Sequence, residues 1–194
     1  MKQIEKGLAT RDRIVSAATR LFATVGYDAT SIEDLLGELK ISRGALYHHF
    51  SSKETIFEAV LENIEADIAR ATIDATGRIK DPVVGLRTGC DAFLRMAREE
   101  KVRRIVLIDA PAVLGWEKWR EIDARHGFGL MKGTLNAIAK KGLLRSELTE
   151  TFAHILLASL METALVIARA DNVAKATRNG RAAIRELIDK LLKA

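Results

Sequence analysis

The stretch Thr30–Lys53, TSIEDLLGELKISRGALYHHFSSK, decides how the rest of the chain is read. It begins with Thr30-x-x-Glu33, a capping box in which the Thr hydroxyl accepts from a first-turn N–H while the Glu reaches back. Ile32, Leu35, Leu36 and Leu39 then recur at three- and four-residue spacing, which predicts a helix with one apolar face. Ser42 is a second N-cap, opening a further helix over Arg43–His49. Leu46 and Phe50, four apart, anchor one side of that segment and leave Arg43, Gly44, Tyr47 and His48 to face outward. From Lys40 to Lys53 there are three Lys or Arg, two His and no carboxylate.

A short helix with a buried back and an acid-free face is what a polyanion groove requires. The two segments therefore read as a helix-turn-helix whose second helix enters the major groove of DNA. Bulk charge does not make this case. The whole chain carries +5, and residues 1–53 hold eight basic and six acidic side chains. The local arrangement makes it, because binding depends on which cations meet phosphates.

The run LFATVGYDATSIEDL (Leu21–Leu35) followed by ISRGALYHHFSSKETIFEAV (Ile41–Val60) resembles the N-terminal domain of the tetracycline-repressor (TetR) family of transcriptional regulators. The resemblance covers roughly residues 10 to 60. It implies an all-α homodimer with a small-molecule pocket behind the DNA-binding head. With about nine helices expected along the chain, residues 1–53 are read as the DNA-binding domain and 54–194 as the ligand-binding and dimerisation domain. By the same resemblance Ser42, Tyr47 and Lys53 match phosphate contacts, His49 is a phosphate donor, and His48 touches a base or a phosphate. Thr30 adds a phosphate contact from the N-terminus of its helix. Gly44 lets the backbone approach a base edge. Arg43 keeps two roles open, a bidentate contact to guanine or a phosphate contact. The chain departs from the family at Lys40, where the turn usually has Gly. A side chain in a left-handed conformation costs about 1 kcal/mol more than Gly, so either Lys40 takes that strain or the turn has another geometry.

With 194 residues and 48% hydrophobic content the chain can bury a substantial core. A single cysteine, Cys90, leaves no intrachain disulfide framework and no Cys-based zinc site, and fits a reducing cytoplasm. Met1–Gly7 is too short and polar for a signal peptide. The apolar run Ile155–Ala170 is interrupted by Glu162, so no membrane span is expected. No cofactor is expected either.

Taken in order, Met1–Ala9, with Lys2 and Lys6, is expected to be a mobile arm, and Thr10 to cap a first helix that Gly26 ends. Tyr27 is expected to be a packing aromatic. Ser52 caps a long fourth helix to about Thr76, followed by helices over Val83–Glu99 and Val102–Asp109 and a break at Pro111. A seventh runs from Trp116 to Lys140, loosened near Gly127 and Gly129 and closed by Gly142. The eighth, Thr149 to about Ala170, is apolar nearly all round, which implies burial on two sides. Together with a ninth over Ala174–Leu192 it is expected to form a four-helix interface with a symmetry mate.

Candidate walls of an effector pocket are Ile68, Cys90, Phe93, Trp116, Trp119, Phe128, Met131 and Met161, with Asp109 and Glu162 as polar groups able to meet a ligand amine. For any one of them ordinary core is the competing assignment. A catalytic reading pairing Cys90 with His126 or His154 finds no motif at local spacing to support it. The sequence thus points to an operator-binding homodimer released from a pseudo-palindromic site by a small molecule. A DNA-bound regulator answering to a protein partner, or to no ligand, is the alternative.

Overall fold

The computed structural model describes residues 2–192, with side chains from Gly7 onward. Among these residues every regular element is helical. They are α1 (Lys2–Thr24), α2 (Ile32–Leu39), α3 (Arg43–Tyr47), α4 (Lys53–Thr76), α5 (Pro82–Met96), α6 (Ala110–Asp123), α7 (Gly129–Lys140), α8 (Thr149–Ala168) and α9 (Val173–Leu191). π-Helical segments at Val102–Asp109 and Ala124–Phe128 lead into α6 and α7, and a 3₁₀ turn at Ser146–Leu148 leads into α8.

Contacts divide the chain into two compact units, one of residues 1–64 and 100–119, the other of 65–99 and 120–194. The first is wider than the 1–53 expected, because the start of α4 buries Ile56, Phe57 and Val60, and Val102–Asp109 packs on α1. Its core joins Ile14 and Phe22 of α1, Leu35 of α2 and Leu46 of α3 to those side chains. Tyr27 packs as expected, its ring centroid 5.5 Å from Phe22 and 5.0 Å from Phe57. Gly26 ends α1 at φ 90°, and a Cβ there would collide with the Arg104 guanidinium.

Two expectations about α1 and α6 need correction. α1 starts at Lys2 rather than Thr10, since residues 2–9 are mostly good helix formers without proline and the helix propagates through them. The Lys2 and Lys6 side chains lie outside the described residues. Nor does the chain break at Pro111. There the preceding π-helical turn already bonds five residues back, Ala110 N–H to the Ile105 carbonyl, which relieves the usual proline clash with the carbonyl four back. The non-helical residue is Gly115 instead, at φ 74° and ψ 165°.

In the second unit α8 packs on α5, α7 and α9. Asp81 caps α5, accepting from Val83 and Val84 N–H at 2.8 and 3.0 Å, with Pro82 following it. Charge ties α5 to α9. The buried Asp91 carboxylate accepts from Arg181 Nε at 2.9 Å and Nη2 at 2.8 Å, and also from Arg185. Hydrogen bonds from Arg181 hold the Asp91 carboxyl below its ordinary range, against the effect of burial. Its stabilisation is therefore complete above the normal carboxylate range and is lost as pH falls through the lowered folded value. Asp91→Asn is expected to cost about 1.5–3 kcal/mol at neutral pH and to shrink as pH drops, which denaturant melts across an acid series will check.

Candidate functional site

α2 is capped one residue later than the sequence pattern suggests. Ser31, not Thr30, is the N-cap: its Oγ accepts from Asp34 N–H at 3.1 Å, and Asp34 accepts from Ser31 N–H at 2.8 Å. Thr30 is 1% exposed and donates its hydroxyl to the Gly26 carbonyl at 2.8 Å, closing the connection from α1. That buried bond takes the Thr30 hydroxyl off the exposed surface where a phosphate contact was expected. At the other end of α2, Lys40 takes the strain, at φ 53° and ψ 47°. Arg13 of α1 donates to the Leu39 carbonyl at 3.3 Å, placing a cation at the negative end of the α2 dipole.

Ser42 caps α3 as expected, its Oγ accepting from Ala45 N–H at 3.2 Å. The helix ends at Tyr47, two residues short of His49; His48 is its C-cap and donates its N–H to the Gly44 carbonyl at 3.0 Å. This short segment has a sharp division of faces. Leu46 and Phe50 are buried, while Ser42, Arg43, Gly44, Tyr47 and His48 are exposed and His49 is half-buried. The Arg43 guanidinium is paired with Glu33 of α2, a partner that periodicity did not point to.

Lys53 is engaged within the fold. It does not project as a free cation: its Nζ donates to the carbonyls of Tyr27 at 2.9 Å and Thr30 at 3.0 Å and sits 4.1 Å from the Tyr27 ring centroid. Both carbonyls belong to the α1–α2 connection, where that of Tyr27 also accepts from Thr30 N–H at 3.2 Å, so the ammonium clamps the connection to the start of α4. Lys53→Met is expected to lower unfolding free energy by about 1.5–3 kcal/mol and to leave the salt dependence of DNA binding unchanged. A salt slope smaller by about one unit would return the charge to a phosphate.

The second unit contains a cavity of about 430 Å³. α4 contributes Ile68, Thr72 and Thr76; α5 contributes Gly85, Gly89, Cys90 and Phe93; α7 and α8 close it with Met131, Thr134, Leu157 and Leu160. Of the expected wall residues, Ile68, Cys90, Phe93 and Met131 share this lining. The others stand elsewhere. Asp109, in the first unit, pairs with Arg104 at 3.3 Å and accepts the Tyr27 N–H at 3.2 Å. Trp116 and Trp119 also belong to the first unit, 5.0 Å apart, the former 65% exposed. Phe128 stacks on His154 at 4.4 Å. Met161 is half-buried outside the lining, and Glu162 is exposed in a groove between α8 and α9. Hydrophobic periodicity could not find Thr72, Thr76, Gly85 and Gly89, which carry little apolar signal. The four-residue spacing of the two glycines was the available hint. Burial pushes the Cys90 thiol up to about 12, so it stays protonated at neutral pH and offers no nucleophile.

Residues 14–60 match the profile of bacterial regulatory proteins of the tetR family, and residues 83–191 that of the tetracyclin repressor-like C-terminal domain. The transcriptional repressor NicS of Pseudomonas putida is 29% identical over 157 residues, which is 78% of this chain and 73% of the relative. A TetR-family regulator from Pectobacterium atrosepticum, known from its crystal structure, is similar at a TM-score of 0.82 and 31% identity, over 98% of this chain and 97% of that one. RolR, solved with resorcinol bound, shares the fold at a TM-score of 0.71 and 19% identity, over 98% of both chains. With the exposed polar face of α3 and this agreement along both halves of the sequence, the chain belongs to the TetR family of DNA-binding transcriptional regulators.

Proposed function

We propose that this protein is a homodimeric, cytoplasmic repressor that leaves a pseudo-palindromic operator when a small molecule enters the cavity. The observation that carries the reading is the course of α4. Its first residue, Lys53, clamps the connection that precedes the helix-turn-helix, and the same helix supplies Ile68, Thr72 and Thr76 to the cavity wall. A ligand that favours one setting of α4 in the cavity biases the head by population shift. NicS, a repressor, and RolR, which binds resorcinol, support the two halves of this reading.

On DNA, α3 enters the major groove, with Arg43, Gly44 and His48 toward base edges and Ser42, Tyr47 and His49 toward phosphates. Two heads, joined through α8 and α9 of paired copies, meet half-sites about 10–10.5 base pairs apart or a little more. The test is selection of binding sites from random duplexes, followed by stoichiometry on the enriched sequence. The expected result is an inverted repeat holding one dimer. Enrichment of an asymmetric site by a single protomer overturns the reading.

A further inference from the structure

The cavity walls say what kind of molecule fits. Thr72, Thr76 and Thr134 donate their hydroxyls to the carbonyls of Ile68, Thr72 and Leu130, at 2.8, 2.8 and 2.9 Å. Their protons are spent, so these oxygens keep acceptor capacity only. The Thr72 and Thr76 methyls turn toward α5, 3.3 and 3.8 Å from where a Gly89 Cβ would stand. Cys90 is a neutral thiol. Among the described residues Lys80 is the one charged side chain of the lining, and it is exposed.

Among the described residues no carboxylate lines the cavity. Asp91 faces Arg181 and Arg185, Asp123 pairs with Arg120 at 3.4 Å, and neither lines the cavity. Buried Glu65, on α4, is also outside the lining. Asp109 and Glu162, which the sequence offered as partners for a ligand amine, are absent from it too. A ligand ammonium would thus lack a counter-charge, and a carboxylate would find only Lys80 at the exposed edge of the lining, so either charge placed deeper carries a desolvation cost that a neutral group avoids.

Building on the cavity as effector site, we propose that the effector is uncharged: a largely apolar molecule of one to three rings, or an open chain of similar volume. It carries a hydroxyl or N–H donor to the spent threonine oxygens, and neither a carboxylate nor an ammonium. The glycines add to the space it fills, since a Cβ at Gly85 or Gly133 meets nothing within 4 Å.

The test is calorimetric titration of the full chain at neutral pH with three probes of one shape: 2-naphthol, 2-naphthoate and 2-naphthylmethylammonium. Naphthol is expected to bind about tenfold or more tightly than either ion, and Gly85→Leu, which fills the cavity, to weaken it by a similar factor. Gly133→Leu is the second filling variant, and thermal melts establish that each one folds. Naphthoate or the ammonium binding as tightly as naphthol, with filling variants still blocking it, overturns the neutral-effector inference and leaves the cavity as the site. Naphthol binding that neither filled variant weakens overturns the cavity itself as the effector site. No binding by any probe overturns the inference.

Discussion

Val166→Glu is expected to convert the dimer to a monomer at micromolar concentration and to weaken operator binding by about 10²–10⁴ through lost bivalency. Along α8 an exposed stripe runs through Ile155, Ala158, Glu162 and Val166, with Ile155 at 46% and Val166 at 56% exposure. Leu187 of α9 is 37% exposed. By length and composition Ser146–Ala168 is apolar enough to cross a membrane; here one side packs on α5, α7 and α9, and the stripe is the surface the proposed second copy would cover. A charge at Val166 would have to be buried unpaired between copies. Leu160→Glu, which the all-round apolar pattern of this helix nominates equally well, should behave differently. Leu160 is 3% exposed and lines the cavity, so its replacement unfolds the second unit rather than parting two folded copies. Light scattering after size exclusion, with helical content measured on the same sample, separates the two outcomes. A dimeric, folded Val166→Glu would move the interface to another surface.

Arg43→Ala carries the second large effect, a loss of about 1–3 kcal/mol on the cognate site with relaxed preference at one base position, if its guanidinium is bidentate to guanine. Equal losses on cognate and random duplexes would assign Arg43 to a phosphate. The pairing with Glu33 adds a variant of opposite sign. Without DNA, Glu33 occupies the guanidinium as a phosphate or base edge would, so binding must first break that pair. Both side chains are well exposed, and such pairs contribute about 0.2–1 kcal/mol. Glu33→Gln is therefore expected to tighten binding to random DNA by up to about fivefold. Unchanged affinity in a salt titration of this variant would show that the pair does not compete with DNA.

Much of the fold was legible because helix ends are written locally. Ser42 and Ser52 hold the N-caps expected of them, Gly26 and Gly142 sit at positive φ where helices close, and α4 ends at Thr76 as expected. The two faces of α3 were equally readable, since four-residue spacing on so short a helix leaves few ways to bury Leu46 and Phe50.

What the chain order could not express was competition for the same group by distant partners. Thr30 and Ser31 are both good caps, and the Gly26 carbonyl needing a donor settled the choice. Nothing near Lys53 in the sequence announced the Tyr27 and Thr30 carbonyls that its ammonium reaches, 26 and 23 residues away along the chain. The cavity lies furthest from sequence reasoning. A wall is made where side chains are small or fail to meet, as at Gly85, Gly89 and Thr72, and hydrophobic periodicity records filled space rather than empty space. Sequence by itself determined most helices, their polarity and the exposed polar face of α3, because those follow from contacts within a few residues. Tertiary structure alone decided which polar groups were already engaged and where a ligand has room, because both depend on what the rest of the chain brings alongside.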